Sequence, residues 1–234
     1  MDVISVKTRA LTPPKDDLLG ALKDTLPKLQ NGDILVLASK AVAIHEGRCV
    51  PIEGTDREAL IKSEADKTYP RPHDTTRIGM TRKGNILVPF AGVDESNGNG
   101  HYVLWPEAPH DSAENIRNHY SEKFGLENFA VIIADSTFLP FRSGNLSVAI
   151  GFFGLEPVRD YRGKKDLFGR EIRLTQSNRV DPLAALAGLY LGEGDESTPA
   201  VLLRGFPGVV FTTRPSSEGI NYSADDDFYS TVFK

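Results

Sequence analysis

Apolar runs alternate with polar turns along nearly the whole chain, and the period of each run separates strands from helices. Residues 33–39 (DILVLAS), 130–134 (AVIIA), 146–150 (LSVAI) and 200–203 (AVLL) are short, rich in Val and Ile, and bounded by Gly, Asp or Pro. They predict strands, with 86–90 and 209–213 as further candidates. Leu18, Leu22, Leu26 and Leu29 recur at helical spacing, which predicts one helix opened by Asp16 or Asp17. Ile116, Tyr120 and Phe124 repeat that spacing behind Asp111 and Glu114, an arrangement that resembles a capping box. A third helix is predicted over 182–191, with Asp181 as N-cap, Pro182 at the first position and Gly192 as the stop. Its sequence is apolar almost all round, which predicts burial. The mixture predicts an α/β or α+β fold, a mixed sheet with flanking helices. No repeat, linker or step in composition divides the chain, so 1–234 reads as one domain.

Composition narrows the class. With 234 residues, 40% of them hydrophobic, the chain can bury a sizeable core. Lys and Arg number 27 against 32 Asp and Glu, a net charge of −5, which argues against a nucleic-acid partner. The lone Cys49 excludes an internal disulfide and fits a reducing compartment. No apolar run approaches the roughly 20 residues needed to span a bilayer, and the first residues lack a signal-peptide profile. A cytoplasmic protein with no membrane partner is expected.

Several catalytic signatures are missing. There is no P-loop, no G-x-G-x-x-G after a strand and no G-x-S-x-G elbow. His45, His73, His101, His110 and His119 form no H-x-x-x-H pair, and one Cys cannot build a thiolate zinc site. What remains are three polar loops after apolar segments: residues 92–97 (GVDESN), Asp135 with Ser136, and residues 192–198 (GEGDEST). Ligands of α/β folds gather beyond strand carboxyl ends, and carboxylate and hydroxyl oxygens suit Mg²⁺ or Mn²⁺, which in turn bind phosphates. An Asp after a strand is also an ordinary turn former or helix cap, so convergence of the three loops decides the matter. Positive charge is clustered too: 159–170 holds five cations, Lys40 follows the strand 33–39, and Arg142 lies seven residues past Asp135. Such groups partner phosphates and carboxylates, although 159–170 reads equally as a solvated loop. The acidic run 225–227 reads as a solvated face.

Taken in order, SKAVAIHEGR (39–48), GVDESN (92–97), IADSxxxPFR (133–142), VAIG (148–151), RDYRGKKDLFGREI (159–172) and the GE…TPAVLLRG stretch (192–205) resemble the coenzyme F420-0:L-glutamate ligases, in register over roughly 1–205. The resemblance implies an F420-0 ligase-like fold and an intertwined α/β homodimer. It also implies GTP, with ATP as the alternative, together with Mg²⁺ or Mn²⁺ and K⁺ as a further ion. Such enzymes join the amine of L-glutamate to a carboxylate on a cofactor-type acceptor, forming an amide. By position, Asp94, Asp135, Ser136 and Glu193 fall on metal ligands of the family, Glu193 standing where many members carry Gln. Arg9, Ala10, Leu11, Thr12, Ser39, Lys40, Asn97, Leu191, Gly192, Glu193, Gly194, Asp195, Glu196, Ser197 and Thr198 fall on nucleotide-contacting positions. Asp135, Lys40 and Arg142 are the expected catalytic groups, the two cations offsetting phosphate or carboxylate charge.

Two positions depart from the family pattern. Phe138-Leu139 stands where members commonly carry Gly-Arg, and Ile44 where the first motif commonly has Lys. Each removes a cation; His45 or Arg142, nearby in sequence, are candidates to compensate. Three readings follow: ligation to F420-0, the same chemistry on a folate-type acceptor, or a non-catalytic nucleotide-binding dimeric protein.

Overall fold

The computed structural model describes residues 1–71, 73–214, 220–221, 227, 229 and 231–232. The chain opens with β1 (Asp2–Val6), α1 (Leu18–Leu22), β2 (Asp33–Ala38) and α2 (Ser39–Glu46). Between residues 49 and 103 come β3 (Cys49–Pro51), α3 (Arg57–Glu64), β4 (Lys67–Arg71), β5 (Asp74–Lys83), β6 (Ile86–Pro89), a 3₁₀ turn at Phe90–Gly92 and β7 (His101–Val103). The remainder is α4 (Pro109–Phe124), β8 (Phe129–Phe138), β9 (Asn145–Phe153), β10 (Val158–Asp160), β11 (Gln176–Asn178), α5 (Val180–Leu191) and β12 (Ala200–Arg204).

The main sheet runs β1-β12-β2-β8-β9. Its one parallel pair is β2 with β8; the other neighbours are antiparallel. The expected mixed sheet with flanking helices is what forms. β2 and β8 occupy the interior of the sheet, and their unbroken apolar runs are the signature of strands covered on both faces. Side chains alternate accordingly. Leu35, Leu37, Val131 and Ile133 join α1, α2 and α4 in one core, while Ile34, Val36, Ala130 and Ile132 pack under α5 on the other face. At the start of β2 the buried Asp33 carboxylate receives a two-pronged bond from Arg204, with Nε to Oδ1 at 2.8 Å.

The insertion between α2 and α4 carries two small sheets, β3-β7 and β4-β5-β6, around a core of Ile61, Ala91, Val93, Tyr102 and Leu104. It delivers the loop after Val93 to the start of α2, where Lys40 meets Asp94 and Ser96.

Several sequence expectations are corrected. The first helix starts as expected, with the Asp17 carboxylate accepting from Gly20 N–H at 3.0 Å, but it ends at Leu22. Pro27 disfavours helical geometry at Leu26 and removes a donor; Leu26 and Leu29 reach the core from non-helical backbone. α4 begins at Pro109, ahead of Asp111, because the fixed φ of proline suits the first helical position. Asp181 is the second residue of α5, not its cap. Asn178 Oδ1 accepts from Asp181 N–H at 3.0 Å, and the Asp181 carboxylate instead receives Ala149 N–H. Nor is α5 buried all round: Leu189 is 81% and Tyr190 43% exposed. The strand expected over 33–39 ends at Ala38, with Ser39 opening α2, and Asp135 and Ser136 lie inside β8 rather than beyond it. Residues 209–213 contribute only an isolated bridge, Leu155 to Phe211, after Pro207 and Gly208. Of the 225–227 run, residues 225 and 226 lie outside the described residues, and Asp227 is exposed. No helix among the described residues is long and apolar enough to cross a membrane.

Candidate active site

Asp135 is placed by the interior strand β8, one residue past a register shift at Ile133/Ala134 against β9. Such irregularities re-aim side chains at sheet edges and sites. Its carboxylate is held from two sides. Ser39 Oγ, on the first residue of α2, donates to Oδ1 at 2.5 Å, and Trp105 Nε1 donates to Oδ2 at 2.6 Å. Burial pushes the Asp135 carboxyl up to about 6; the bonds from Ser39 and Trp105 oppose the rise, and the charge of Asp94 adds to it. Trp105 in turn requires Gly92. That residue has φ +73°, and a Cβ there would fall on the indole.

Asp94 comes from the insertion, fixed by a backbone bridge to Val103. Lys40 Nζ, from the first turn of α2, reaches Asp94 Oδ2 at 2.7 Å, Ser96 O at 2.7 Å and Ser96 Oγ at 2.8 Å. Burial raises the Asp94 carboxyl, but Lys40 and the Ser96 donors outweigh it and leave it below the usual carboxylate range. Glu193 comes from the loop after α5, where Ser136 Oγ donates to its Oε2 at 3.4 Å. That loop is tied across the site, with Asn97 Nδ2 donating to Gly194 O at 2.8 Å and Thr8 N–H to Ser197 O at 3.0 Å. Gly194 N–H caps the Glu196 carboxylate at 2.8 Å.

These elements enclose a cavity of about 650 Å³. Every residue that the family resemblance puts on the nucleotide lines it: Arg9, Ala10, Leu11, Thr12, Ser39, Lys40, Asn97 and the whole 191–198 loop. Arg9 faces it while forming a two-pronged pair with Asp16, Nη1 to Oδ2 at 2.6 Å and Nη2 to Oδ1 at 2.7 Å. The Arg9 bond holds the Asp16 carboxyl well below its ordinary range. Ile44, where the family motif commonly has Lys, is part of the apolar lining. A second cavity of about 410 Å³ lies on the other side, lined by Arg57, Phe90, Phe138 and Asn145. Ser39, Lys40, Asp94, Ser96, Asp135, Ser136 and Glu193 line both. The three polar segments therefore converge.

Among the described residues no three His, Cys, Asp or Glu side chains group closely enough to cage a metal ion by themselves. The donor set nonetheless fits a divalent cation shared with phosphate. Asp135 is an enclosed carboxylate held only by neutral donors, with the Ser136 hydroxyl and Glu193 beside it. Mg²⁺ is commonly held by one or two carboxylates plus substrate phosphates rather than by an all-protein cage.

Two expected contributors lie elsewhere. Arg142 is exposed on the turn between β8 and β9 and lines neither cavity. His45 sits over the start of α1, its Nδ1 3.3 Å from Asp16 O and Leu18 N, and also lines neither. The basic segment 159–170 lines neither as well; Arg162 pairs with Asp160, and Arg159 and Lys164 lie over the Tyr161 ring. Sequence reading missed Trp105, Ser96 and Arg57. The signal available for Trp105 was that it is the sole tryptophan of the chain; no spacing ties it to Asp135.

Residues 6–205 match the model of the family described as F420-0:Gamma-glutamyl ligase. The chain is 35% identical over 208 residues to the coenzyme F420:L-glutamate ligase of Methanopyrus kandleri, covering 82% of each protein. It is 34% identical over 228 residues to the enzyme of that name from Methanothermobacter thermautotrophicus, covering 88% of this chain and 90% of the relative. For the Methanococcus maripaludis protein of the same name the identity is 32% over 244 residues, 97% of each. A match over most of its length makes this chain a member of the F420-0:gamma-glutamyl ligase family.

Proposed function

We propose that this protein is a nucleotide- and divalent-metal-dependent ligase that forms an amide between the amine of L-glutamate and a carboxylate of coenzyme F420-0, with GTP as phosphoryl donor. The observation that carries the reading is the common wall: two cavities of about 650 and 410 Å³ meet at Lys40, Asp94, Asp135, Ser136 and Glu193. A reaction that moves a phosphoryl group between two substrates needs that layout, with the donor on one side and the acceptor on the other.

A free carboxylate is a poor acyl donor, because its charge repels nucleophiles and oxide is a poor leaving group. In the proposed route an acceptor carboxylate oxygen attacks the γ-phosphorus, the bond to the bridging oxygen breaks, and GDP leaves. The glutamate amine then attacks the acyl carbon of the acyl phosphate; inorganic phosphate leaves with the former carboxylate oxygen, and the amine gives up a proton. Asp94, Asp135, Ser136 and Glu193 are the residues to hold Mg²⁺ or Mn²⁺, which offsets triphosphate charge. Lys40 brings its ammonium to the same wall. Ser39 and Trp105 fix the Asp135 carboxylate, so that less reorganisation is needed as charge moves. The 191–198 loop, tied to Asn97 and Thr8, closes the donor side. Exposed Leu189 and Tyr190 on α5, with Leu167, Phe168 and Leu174 on the segment between β10 and β11, supply apolar surface for the proposed homodimer.

The test is a panel of acceptors with glutamate and each nucleotide, read by mass spectrometry. A shift of one glutamyl unit on F420-0 and none on tetrahydrofolate is expected. The reverse pattern supports a folate acceptor, and binding without any product supports a non-catalytic protein. GTP hydrolysis that needs no acceptor carboxylate counts against the acyl phosphate.

A further inference from the structure

From the geometry of the second cavity, we infer that Arg57 is its anion-recognition residue, receiving a carboxylate or phosphate group of the substrate that approaches from the side opposite the nucleotide. The inference rests on the ligase reading above for the identity of the substrates, but not for the chemistry of the site.

Arg57 is the first residue of α3, held there by the Asp56 N-cap, whose carboxylate accepts from Glu58 N–H at 2.9 Å and Ala59 N–H at 3.2 Å. Its guanidinium carbon lies 4.6 Å from the centroid of Phe90, so the planar group is stacked on a ring rather than paired with an acid. Its Nε is buried and has no hydrogen-bond partner among the described residues. A buried donor without a partner costs free energy, so the protein's own groups leave this guanidinium incompletely satisfied. Two other arginines, Arg82 and Arg179, also bury an unpaired Nε, but neither lines a cavity of the site. Arg57 does, together with Phe90, Phe138 and Asn145.

Charge makes the same point. The acids on the second cavity are Asp94, Glu95, Asp135 and Glu193, and among the described residues its cationic side chains are Lys40 and Arg57. Lys40 is already bonded to Asp94 and Ser96. An anionic substrate entering here meets repulsion from four carboxylates unless a free guanidinium offsets it, and a planar fork suits carboxylate and phosphate oxygens. Phe138 occupies the wall of this same cavity and brings it apolar surface but no charge.

Two substrates offer the anion: L-glutamate, with its carboxylates, and the F420-0-type acceptor, with a carboxylate or phosphate. Isothermal titration calorimetry with Mg²⁺ and a non-hydrolysable GTP analogue present separates them. L-glutamate and F420-0 are titrated separately into wild type, Arg57→Gln and Arg57→Lys. Arg57→Gln is expected to raise the dissociation constant of one of the two by about tenfold or more. Arg57→Lys should fall between that variant and wild type, and affinity for the GTP analogue should be unchanged. The ligand whose affinity moves is the one whose anion Arg57 holds. Should Arg57→Gln fail to fold, Phe90→Leu, which removes the ring under the guanidinium, joins Arg57→Lys in the same comparison. Unchanged affinity for both ligands in the variants overturns the inference. So does wild type that binds neither, or a variant that loses GTP-analogue affinity in parallel. Wild type that binds both and makes no glutamylated product refutes the ligase reading and leaves the Arg57 assignment standing.

Discussion

Trp105 Nε1 donates to Asp135 Oδ2 over 2.6 Å, and no other residue of the chain is tryptophan. The indole is nearly fully buried, so its emission reads the carboxylate it touches rather than solvent. Adding Mg²⁺ or Mn²⁺ with GTP is therefore expected to change tryptophan fluorescence in wild type, as charge and hydrogen bonding at Asp135 change. Asp135→Asn should remove most of that response and abolish glutamate-dependent phosphate release. An equal response in the variant would show that Trp105 senses some other event.

The same residue rests on a charged network with its own pH signature. Glu64 accepts from Lys83 Nζ at 2.6 Å and from Arg48 Nη2 at 2.9 Å; Lys83 lies over the Trp105 ring, and Arg48 Nε donates to Trp105 O at 3.1 Å. Burial raises the Glu64 carboxyl, yet Lys83 and then Arg48 outweigh that and leave it below its ordinary value. A depressed carboxyl stabilises the fold above the unfolded-state value, near about 4.3, and loses that contribution as pH falls through the folded-state value. Glu64→Gln is expected to cost about 1–3 kcal/mol at neutral pH. Urea titrations of the two proteins should show a constant difference above about pH 5.5 that shrinks below about pH 4.5. A difference that stays level down to pH 3 would rule out the ion-pair account.

How far the sequence spoke for these arrangements depended on the range of the interactions. β2 and β8 were legible because burial on both faces leaves an uninterrupted apolar run, and the segments carrying Asp94, Asp135 and Glu193 were legible as polar breaks in or beside such runs. α1 was overread, because leucine spacing persists past Leu22 while Pro27 ends the helix. The insertion was almost illegible: β3 and β7 have three residues each, and β5 mixes apolar with charged positions, so no period emerges. Contacts such as Trp105–Asp135 and Lys40–Asp94, 30 and 54 residues apart, leave no trace in local pattern. Arg57 was invisible for a related reason, since an exposed-looking arginine at a helix start becomes notable only once Phe90 and the cavity are beside it.

Arg204, in the last matched motif, gives a prediction on stability alone. Asp33 is fully buried and its carboxylate receives Arg204 Nε and Nη2, both at 2.8 Å, while Gln30 N–H donates to it at 2.9 Å. Arg204 Nη2 also reaches Lys28 O at 3.0 Å, joining the end of β12 to the turn that leads into β2. Arg204→Met leaves an uncompensated buried carboxylate at the start of β2 and is expected to cost about 3–5 kcal/mol. Arg204→Met with Asp33→Asn should recover part of the loss, because the stranded charge is gone. Denaturant midpoints of the single and double variants measure both; a double variant less stable than the single one would overturn the account.

Lys40 has two roles that separate experimentally. In the structure described here its ammonium neutralises Asp94 and ties the 94–96 loop to α2 through three bonds of 2.7–2.8 Å. In the proposed reaction the same charge faces the phosphates. Lys40→Gln keeps a donor for Ser96 but removes the charge, so the fold should persist with a thermal midpoint close to wild type. Turnover should fall by about a hundredfold, the size expected when one preorganised charge-stabilising donor is lost. Lys40→Met removes both functions and should be less stable as well as inactive. The informative comparison is the nucleotide KM against kcat in Lys40→Gln. A fall confined to kcat places the charge at the transferring phosphoryl group, whereas a rise confined to KM places it on groups bound equally before and during transfer. Wild-type kinetics in Lys40→Gln would remove Lys40 from the reaction and leave it only as the latch on Asp94.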